Sequence, residues 1–344
     1  MPAVVPRRRP KRKGQRTKKG PVEAKFELQD VGEMGLGLVA TAPIKRGDCV
    51  LREKPQLCFV TETIRDFELE EKDYLVQNEV QKMSEENQAL FHALSPCYAA
   101  GIADDNRMDP YPFLDRLLTH GFDGTTDGLE DGYPCICLSF TAARINHSCR
   151  PNVFSHYNDR QMLTFHAIRD IEVGDQLSVK YGPVNVYLPT SDRQAACEKI
   201  SFNCRCERCT ALPALRQASD TRMEEYQTTK GRLAEAIEQG AKDVNRRKLQ
   251  TKILTLLSDE FGPEDPVSQQ MYHHLAFQWA AVDKNLPLAR THMRKALAAR
   301  LTCEGEHKGM KQWKEWSLKP EDFLKTEMGI DMDLEESSTS EESS

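Results

Sequence analysis

The sequence lacks any long uninterrupted apolar run. No segment approaches the about 20 apolar residues that a helix needs to cross a bilayer, and the N-terminus has no apolar stretch typical of a secretory signal. Hydrophobic residues at 39% and charged residues at 29% are the proportions of a soluble globular protein. We therefore expect no membrane partner, and a chain of the reducing cytosol or nucleus whose 11 cysteines are mostly thiols or metal ligands.

Each end of the chain lacks charge of one sign. Residues 1–20 hold nine basic residues and no acid, whereas residues 331–344 hold six acids and no base. The net charge of −6 therefore leaves −6 − 9 = −15 for residues 21–344. Because like charges repel and there is little apolar surface to bury, both ends are predicted to be disordered tails, basic over 1–21 and acidic over 326–344.

The basic tail is compatible with three functions. It could be a nuclear-import signal, an arm that contacts chromatin or RNA weakly, or a solubilising segment. The acidic body would repel phosphate, so the sequence argues against a nucleic-acid-binding protein built on that body. The import reading predicts a nuclear location, with the cytoplasm as a second compartment.

Local patterns predict an α+β protein. Short apolar runs separated by turn signals predict strands over 22–55 and again over 153–182. The pattern between about 61 and 133 is helical and charged. After Cys209 it is helical again, with an antiparallel pair of helices joined by "KNLP". The sequence thus predicts a β-rich core with a helical insertion, followed by a helical C-terminal domain.

The segment "FNCRCERC" is the most specific single signal. It places three thiols within six residues, those of Cys204, Cys206 and Cys209. Structural zinc takes four tetrahedral ligands, and this spacing can supply three thiolates from one tight loop. The fourth ligand must come from elsewhere in the chain. The candidates include Cys197, Cys149 and His147.

Two glycines in "EMGLGLV" are a weak signal by themselves. Gly35 and Gly37 flank Leu36 without the continuation into a helix that nucleotide-binding loops show. What remains is a backbone that another group can approach closely, because neither glycine has a Cβ. The segment "VGDQLSVKYG" is equally ordinary alone, an acidic turn followed by a strand that ends near Tyr181.

The segment "RINHSCRPN" sets an amide, an imidazole, a hydroxyl and a thiol on four successive positions, Asn146, His147, Ser148 and Cys149. Neighbouring side chains of an extended chain point to opposite sides. The four groups are therefore expected to serve different partners.

Taken in order, these segments resemble the SET-domain protein lysine methyltransferases. The family's G-x-G matches Gly35 and Gly37, and its N-H-S-C-x-P-N motif matches residues 146–152. Its G-E-E-[IL]-x-x-x-Y-G motif matches residues 174–182, although Asp175 and Gln176 replace the two glutamates. The cysteine cluster is similar to the family's post-SET zinc loop. The resemblance covers about residues 22–210.

A subgroup is also indicated, because the helical C-terminal part resembles the SET and MYND methyltransferases. Their C-terminal domain is built from tetratricopeptide-like (TPR-like) helix pairs, but this sequence lacks their cysteine-rich MYND finger. The resemblance implies a β-rich SET fold of small sheets with a pseudoknot. Its predicted parts are a SET domain over 22–183 with the helical insertion at about 61–133, a post-SET zinc segment over 184–212 and a helical C-terminal domain over 213–325.

The resemblance implies an S-adenosylmethionine-dependent protein-lysine N-methyltransferase, acting on a lysine of a histone tail or of another protein. Tyr181 would be the catalytic residue. The implied cofactor-binding residues are Gly35, Leu36, Gly37, Asn146, His147, Tyr181 and Phe202. The implied structural zinc ligands are Cys149, Cys204, Cys206 and Cys209.

One departure leaves an alternative open. The subgroup often has a second tyrosine two residues before the adenine-stacking aromatic, and here that position is Ile200. The loss of a hydroxyl would change the number of methyl groups added or lower the rate. The alternative function is a catalytically weak SET-fold protein that serves as a binding module or scaffold.

Overall fold

A computed structural model describes residues 24–95, 111–125, 132–239 and 243–328. The predicted basic tail and most of the predicted acidic tail lie outside these residues. The strands are β1 (Phe26–Asp30), β2 (Leu36–Ala40), β3 (Cys49–Glu53), β4 (Leu57–Val60), β5 (Phe122–Thr125), β6 (Pro134–Leu138), β7 (Asn146–His147), β8 (Val153–Tyr157), β9 (Leu163–Ala167) and β10 (Ser178–Val179). The α-helices are α1 (Leu69–Gln81), α2 (Glu85–His92), α3 (Pro112–His120), α4 (Thr190–Glu198), α5 (Pro213–Glu238), α6 (Asp243–Phe261), α7 (Pro266–Val282), α8 (Leu286–Glu304), α9 (Met310–Leu318) and α10 (Pro320–Met328).

The strands form four small sheets, and the α+β prediction is confirmed. Three sheets are antiparallel: β1–β2, β3–β9–β8 and β4–β6–β5. The fourth is a short parallel pair, β7–β10. Every residue of β9 is buried, because this strand is flanked by β3 and β8 and covered on both faces. Its Leu163 and Phe165 belong to the main core of the SET-like part.

The predicted helical insertion consists of α1, α2 and α3, which pack against the outer face of β6. Val76, Phe91 and Leu117 are buried there with Leu138. The predicted range also contains strand β5, which pairs with β6 and leaves the helices within 69–120. Residues 122–125 lie within the range predicted to be helical, but they form a strand because they pair with β6.

The C-terminal part is helical from α5 to α10. The predicted antiparallel pair is confirmed as α7 and α8, which are separated only by residues 283–285. The Asp265 and Asn285 side chains accept hydrogen bonds from the first turns of these two helices, as helix N-caps do. Helix α10 ends at Met328, so residues 326–328 are helical where the tail was predicted to begin.

Several contacts join this helical part to the rest of the chain, among them the ion pair of Arg46 with Glu264. Helix α8 packs against β8 and β9. In addition, the buried Arg208 guanidinium forms an ion pair with Glu260 of α6. Among the residues described, no helix combines the length and the apolar character that a membrane span requires.

Candidate active site and metal centre

The short parallel pairing of β7 with β10 brings two sequence motifs together. Asn146 lies opposite Ser178, and His147 lies opposite Val179. The Asn152 side chain reinforces this arrangement, because its Oδ1 accepts a hydrogen bond from the Ser178 N–H at 2.8 Å. Segments about 30 residues apart in the chain thereby meet at one point, the centre of the candidate site.

The four successive polar groups of "NHSC" make different contacts, although His147 and Cys149 also contact each other. The Asn146 amide donates to the Leu36 carbonyl at 3.2 Å, which ties β7 to β2. His147 points towards the sulfur of Cys149, while the Ser148 hydroxyl accepts from the Arg150 N–H at 3.0 Å and stabilises the turn. Asn146 and His147 point to opposite sides of β7, so they contact different groups, as expected.

His147 connects Cys149, one of the predicted metal ligands, to the candidate catalytic residue. Its Nδ1 accepts a hydrogen bond from the Tyr181 N–H at 3.0 Å. Burial lowers the pKa of His147 to about 4, so the imidazole is neutral at pH 7. Since Nδ1 accepts, the proton is on Nε2, which lies 3.4 Å from the Cys149 sulfur and can donate to it. The imidazole therefore positions Tyr181 and orients a sulfur ligand at the same time.

The two glycines of "EMGLGLV" have different structural roles. Gly35 has φ +71°, and a Cβ built on it would meet nothing within 4 Å, so the backbone there borders open space. A Cβ on Gly37 would lie 2.9 Å from the Asn146 amide nitrogen and 3.0 Å from a methyl of Val31. Gly35 leaves room for a ligand, whereas Gly37 is required by the close approach of Asn146.

Tyr181 lies in the wall of a cavity of about 750 Å³ between the small sheets and the C-terminal helices. Its hydroxyl donates to the Ile145 carbonyl at 3.2 Å. Its ring centroid is 5.3 Å from that of His147 and 5.9 Å from that of Phe202. Most of the other lining side chains are apolar, and they include Phe122, Ile136, Val186, Ile200, Phe261 and Val267.

Three charged residues also line this cavity: Asp123, Lys180 and Asp265. Burial lowers the pKa of Lys180, and burial raises the pKa of Asp265. Both shifts have the same first cause, desolvation, which disfavours the charged form of a group. The sequence provided no signal for Phe261, Asp265 or Val267 as cavity residues, since they come from the end of α6 and the start of α7.

The sulfur cluster contains Cys149, Cys204, Cys206 and Cys209, whose sulfurs all lie within 4.8 Å of one another. The sulfur of Cys149 is 3.9 Å from that of Cys204 and 3.6 Å from that of Cys209. Zinc–sulfur bonds of about 2.3 Å in a tetrahedron place sulfurs about 3.8 Å apart. The spacing of these thiols fits one zinc ion, and of the three candidates for the fourth ligand it is Cys149 whose sulfur lies within this group.

Helix α4 supports this cluster with two residues that the sequence did not indicate. Arg193 is fully buried, and its guanidinium lies 3.9 Å from the Cys209 sulfur, where it offsets negative charge on the thiolates. The Gln194 side chain accepts from the N–H of Cys204 and donates to its carbonyl. Neither residue belongs to a spaced motif, so only the folded chain reveals them.

The predicted cofactor residues form two groups joined at β7. One group contains Leu36, Gly37 and Asn146 in direct contact, with Gly35 at its open edge. The other consists of the mutually packed rings of His147, Tyr181 and Phe202. Because Asn146 and His147 are consecutive, all seven residues lie around one short strand.

An α+β fold of small sheets that brings these motifs together is the arrangement expected of a SET domain. The model of the SET domain family matches residues 35–182, which include the glycines, the β7 motif and Tyr181. The chain thus contains a SET domain, as its resemblance to this family predicted.

Relatives with known names match parts of the chain. It is similar to histone-lysine N-methyltransferase set5 of Schizosaccharomyces pombe, with 25% identity over 202 residues that cover 57% of this chain and 54% of that protein. It is also similar to histone-lysine N-methyltransferase SMYD3 of Homo sapiens, with 35% identity over 78 residues, 22% of this chain and 16% of that protein. The chain therefore spans about half of the first relative and a smaller part of the second.

A solved structure of the SET domain of LSMT bound to lysine and AdoHcy is 13% identical, and the match covers 91% of this chain and 94% of that chain. The TM-score is 0.31. Because that score is low, the assignment of the SET domain rests on the family model and the sequence motifs.

Proposed function

We propose that this protein transfers a methyl group from S-adenosylmethionine to the side-chain amine of a lysine in a protein substrate. The observation that carries the proposal is the double anchoring of Tyr181 in the cavity wall, through its N–H to His147 and its hydroxyl to Ile145. The SET domain and the names of the sequence relatives support the same activity.

The residues around β7 fit the methyl donor. The backbone from Gly35 to Gly37 is held in place by Asn146 and borders open space at Gly35. Phe202 is half-buried beside His147 and offers an aromatic face for the adenine. When bound, S-adenosylmethionine supplies a methyl group activated by a sulfonium. These residues would hold it, while the cavity on the Tyr181 side is left for the lysine.

The cavity wall would prepare the lysine for reaction. A lysine amine with its usual pKa of about 10.4 is protonated at neutral pH and has no lone pair with which to attack. An apolar wall disfavours an enclosed ammonium by desolvation, the same cause that lowers the pKa of Lys180 at its edge. Asp123 and Asp265 line the same cavity and would attract the incoming cation before it loses its proton.

Tyr181 would then orient the neutral amine. Its hydroxyl proton is directed at the Ile145 carbonyl, so its oxygen can accept a hydrogen bond from the amine N–H. That contact would aim the nitrogen lone pair at the methyl group, and the contribution of the protein is positioning rather than strong base catalysis.

We further propose that the four-cysteine cluster holds a structural zinc ion, which the sulfur spacing and the buried Arg193 support. A nuclear location and weak contact with chromatin or RNA through the basic tail are proposals that rest on the charge of residues 1–20. A lysine-rich protein segment, such as a histone tail, suits the −15 charge of residues 21–344.

The test is methyl transfer from labelled S-adenosylmethionine to core histones and to a whole-cell protein extract. Tyr181→Phe should lower the rate about a hundredfold, the usual effect of losing one positioned hydrogen-bonding group in an active site. Tyr187→Phe removes a hydroxyl from another tyrosine of the same cavity and should change the rate much less. Cofactor binding without any methyl transfer would favour the binding-module alternative. That alternative is supported by Ile200, which lacks the hydroxyl of the tyrosine often found at this position. Absence of cofactor binding would exclude the enzyme.

A further inference from the structure

A second group of thiols lies on the β4–β6–β5 sheet, apart from the zinc cluster and the methyl-transfer site. It contains Cys58 of β4 with Cys135 and Cys137 of β6, and all three sulfurs lie within 4.8 Å of one another. Cys58 is exposed, whereas Cys135 and Cys137 are 2% and 0% exposed. Neither the proposed catalysis nor the proposed zinc site uses these residues.

The sheet register places two of these thiols face to face. Cys58 lies directly opposite Cys137 in the antiparallel β4–β6 pair. The Thr61 N–H donates to the Pro134 carbonyl, so 61 and 134 form a hydrogen-bonded pair. Alternation along the ladder then makes Cys58 and Cys137 a non-hydrogen-bonded pair, with Cα atoms about 4.5 Å apart and side chains close together. That separation lies within the range that a disulfide spans.

The Cys135 and Cys137 sulfurs are 3.7 Å apart, as two ligands of one zinc ion would be, but the Cys58–Cys137 distance differs from that spacing. The sulfurs of Cys58 and Cys137 are 3.0 Å apart. Two thiolates on one zinc ion would be about 3.8 Å apart, close to the 3.6 and 3.9 Å of the other cluster. The Cys58–Cys137 pair is therefore too close for a shared metal ion and is better suited to a bond between the sulfurs.

Cys58 also has the chemical character of a reactive thiol. Hydrogen bonds from Cys137, and further from Cys135 and the Tyr157 hydroxyl, lower its pKa to about 6 despite partial burial. A solvent-accessible thiolate beside a second thiol is the usual arrangement of a redox-sensitive cysteine.

We propose that Cys58 and Cys137 form a reversible redox pair that hydroperoxides oxidise to a disulfide. The Cys58 thiolate would attack the peroxide, forming an S–O bond and breaking the O–O bond, to give Cys58 sulfenic acid and hydroxide or alkoxide. The Cys137 thiol would then attack the Cys58 sulfur, forming the S–S bond and releasing water. One peroxide is reduced and two thiols are oxidised. A dithiol reductant would reverse the step.

The experiment uses the full chain, reduced, freed of reductant and treated with hydrogen peroxide before alkylation and digestion with trypsin. Trypsin places Cys58 in peptide 53–65, Cys135 and Cys137 in peptide 117–144, and Cys49 in peptide 47–52. The expected product is peptide 53–65 linked to peptide 117–144, with the corresponding loss of alkylated Cys58 and recovery of both peptides after reduction. Cys49 is also exposed but belongs to no thiol cluster among the described residues, so its peptide should stay alkylated.

Variants identify the partner. Cys58→Ser changes an exposed side chain and should abolish the linked peptide, while Cys49→Ala should leave it unchanged. Cys135→Ala should also leave it, because Cys137 is the proposed partner; its disappearance in this variant would overturn the pairing. If Cys58 of the unmodified sequence is still fully alkylated after peroxide treatment, the proposal is overturned. The proposal is also overturned if the native chain binds two zinc ions and the Cys58→Ser variant binds only one, since that result would make the group a metal site.

Discussion

The two hydrogen bonds of His147 can be separated by substitution, which tests whether one imidazole supports both the proposed zinc site and Tyr181. In His147→Asn the side-chain oxygen lies near the native Nδ1 position and can still accept from the Tyr181 N–H, but nothing reaches Cys149. In His147→Gln the amide nitrogen lies near the native Nε2 position and can still donate to the Cys149 sulfur. The native distances of 3.0 and 3.4 Å define the two contacts.

The magnitudes follow from these contacts. Loss of an outer hydrogen bond to a metal ligand typically weakens metal binding 10- to 100-fold, which equals about 1.4–2.8 kcal/mol. We therefore expect His147→Asn to weaken zinc binding by this amount and to keep more of the methyl-transfer rate than His147→Gln. His147→Gln should keep nearly native zinc affinity, while loss of the hydrogen bond from the Tyr181 N–H to Nδ1 costs about 1–3 kcal/mol.

The assay is competition for zinc with a chromophoric chelator, combined with methyl-transfer rates of zinc-loaded protein. Both variants leave the backbone of β7 unchanged, so thermal unfolding of the zinc-loaded proteins serves as the control for folding. Equal loss of zinc affinity in the two variants, or native affinity in His147→Asn, would refute the inference that Nε2 supports Cys149 while Nδ1 supports Tyr181.

Two further perturbations have expected outcomes. Gly37→Ala should displace Asn146, cost about 1–3 kcal/mol and weaken S-adenosylmethionine binding measured by calorimetry; Gly231→Ala in α5, where an added Cβ meets nothing within 4 Å, is the control and should bind normally. Burial lowers the pKa of His166 to about 4, so between pH 6.5 and 4 the unfolded chain binds more protons than the native one. The neutral, buried His166 therefore contributes fully to the free energy of unfolding above pH 6.5. About 2 kcal/mol of that free energy should be lost between pH 7 and pH 4.5. Denaturant unfolding at the two pH values should show a smaller loss in His166→Gln, and an equal loss in both proteins would contradict the assignment.

Local sequence was informative where a motif is also a local structure. The alternation of polar groups in 146–149 correctly required several partners, because side-chain direction in a strand depends only on neighbouring residues. The helix pair α7 and α8 was predicted because hydrophobic periodicity and the short "KNLP" connection are local properties. The strand β5 was missed, since four residues gain strand structure from pairing with β6 rather than from their own pattern.

The four-cysteine cluster shows where the residues alone stop being informative. The spacing of Cys204, Cys206 and Cys209 does not specify a distant fourth ligand, so Cys197, Cys149 and His147 were all open and only the family resemblance implied Cys149. The fold decided between them by bringing Cys149 to within 3.9 Å of Cys204. Arg193, buried against Cys209, had no sequence signal at all.

The sequence by itself therefore determined the class of domain, the order of its segments and the residue types available for binding and chemistry. Only the tertiary structure decided which of these residues meet. It placed Tyr181 against His147, formed the cavity wall partly from Phe261 and Asp265, and set Cys58 opposite Cys137. The physical reason is that these contacts join elements far apart in the chain, and their geometry depends on the packing of whole sheets and helices rather than on local preference.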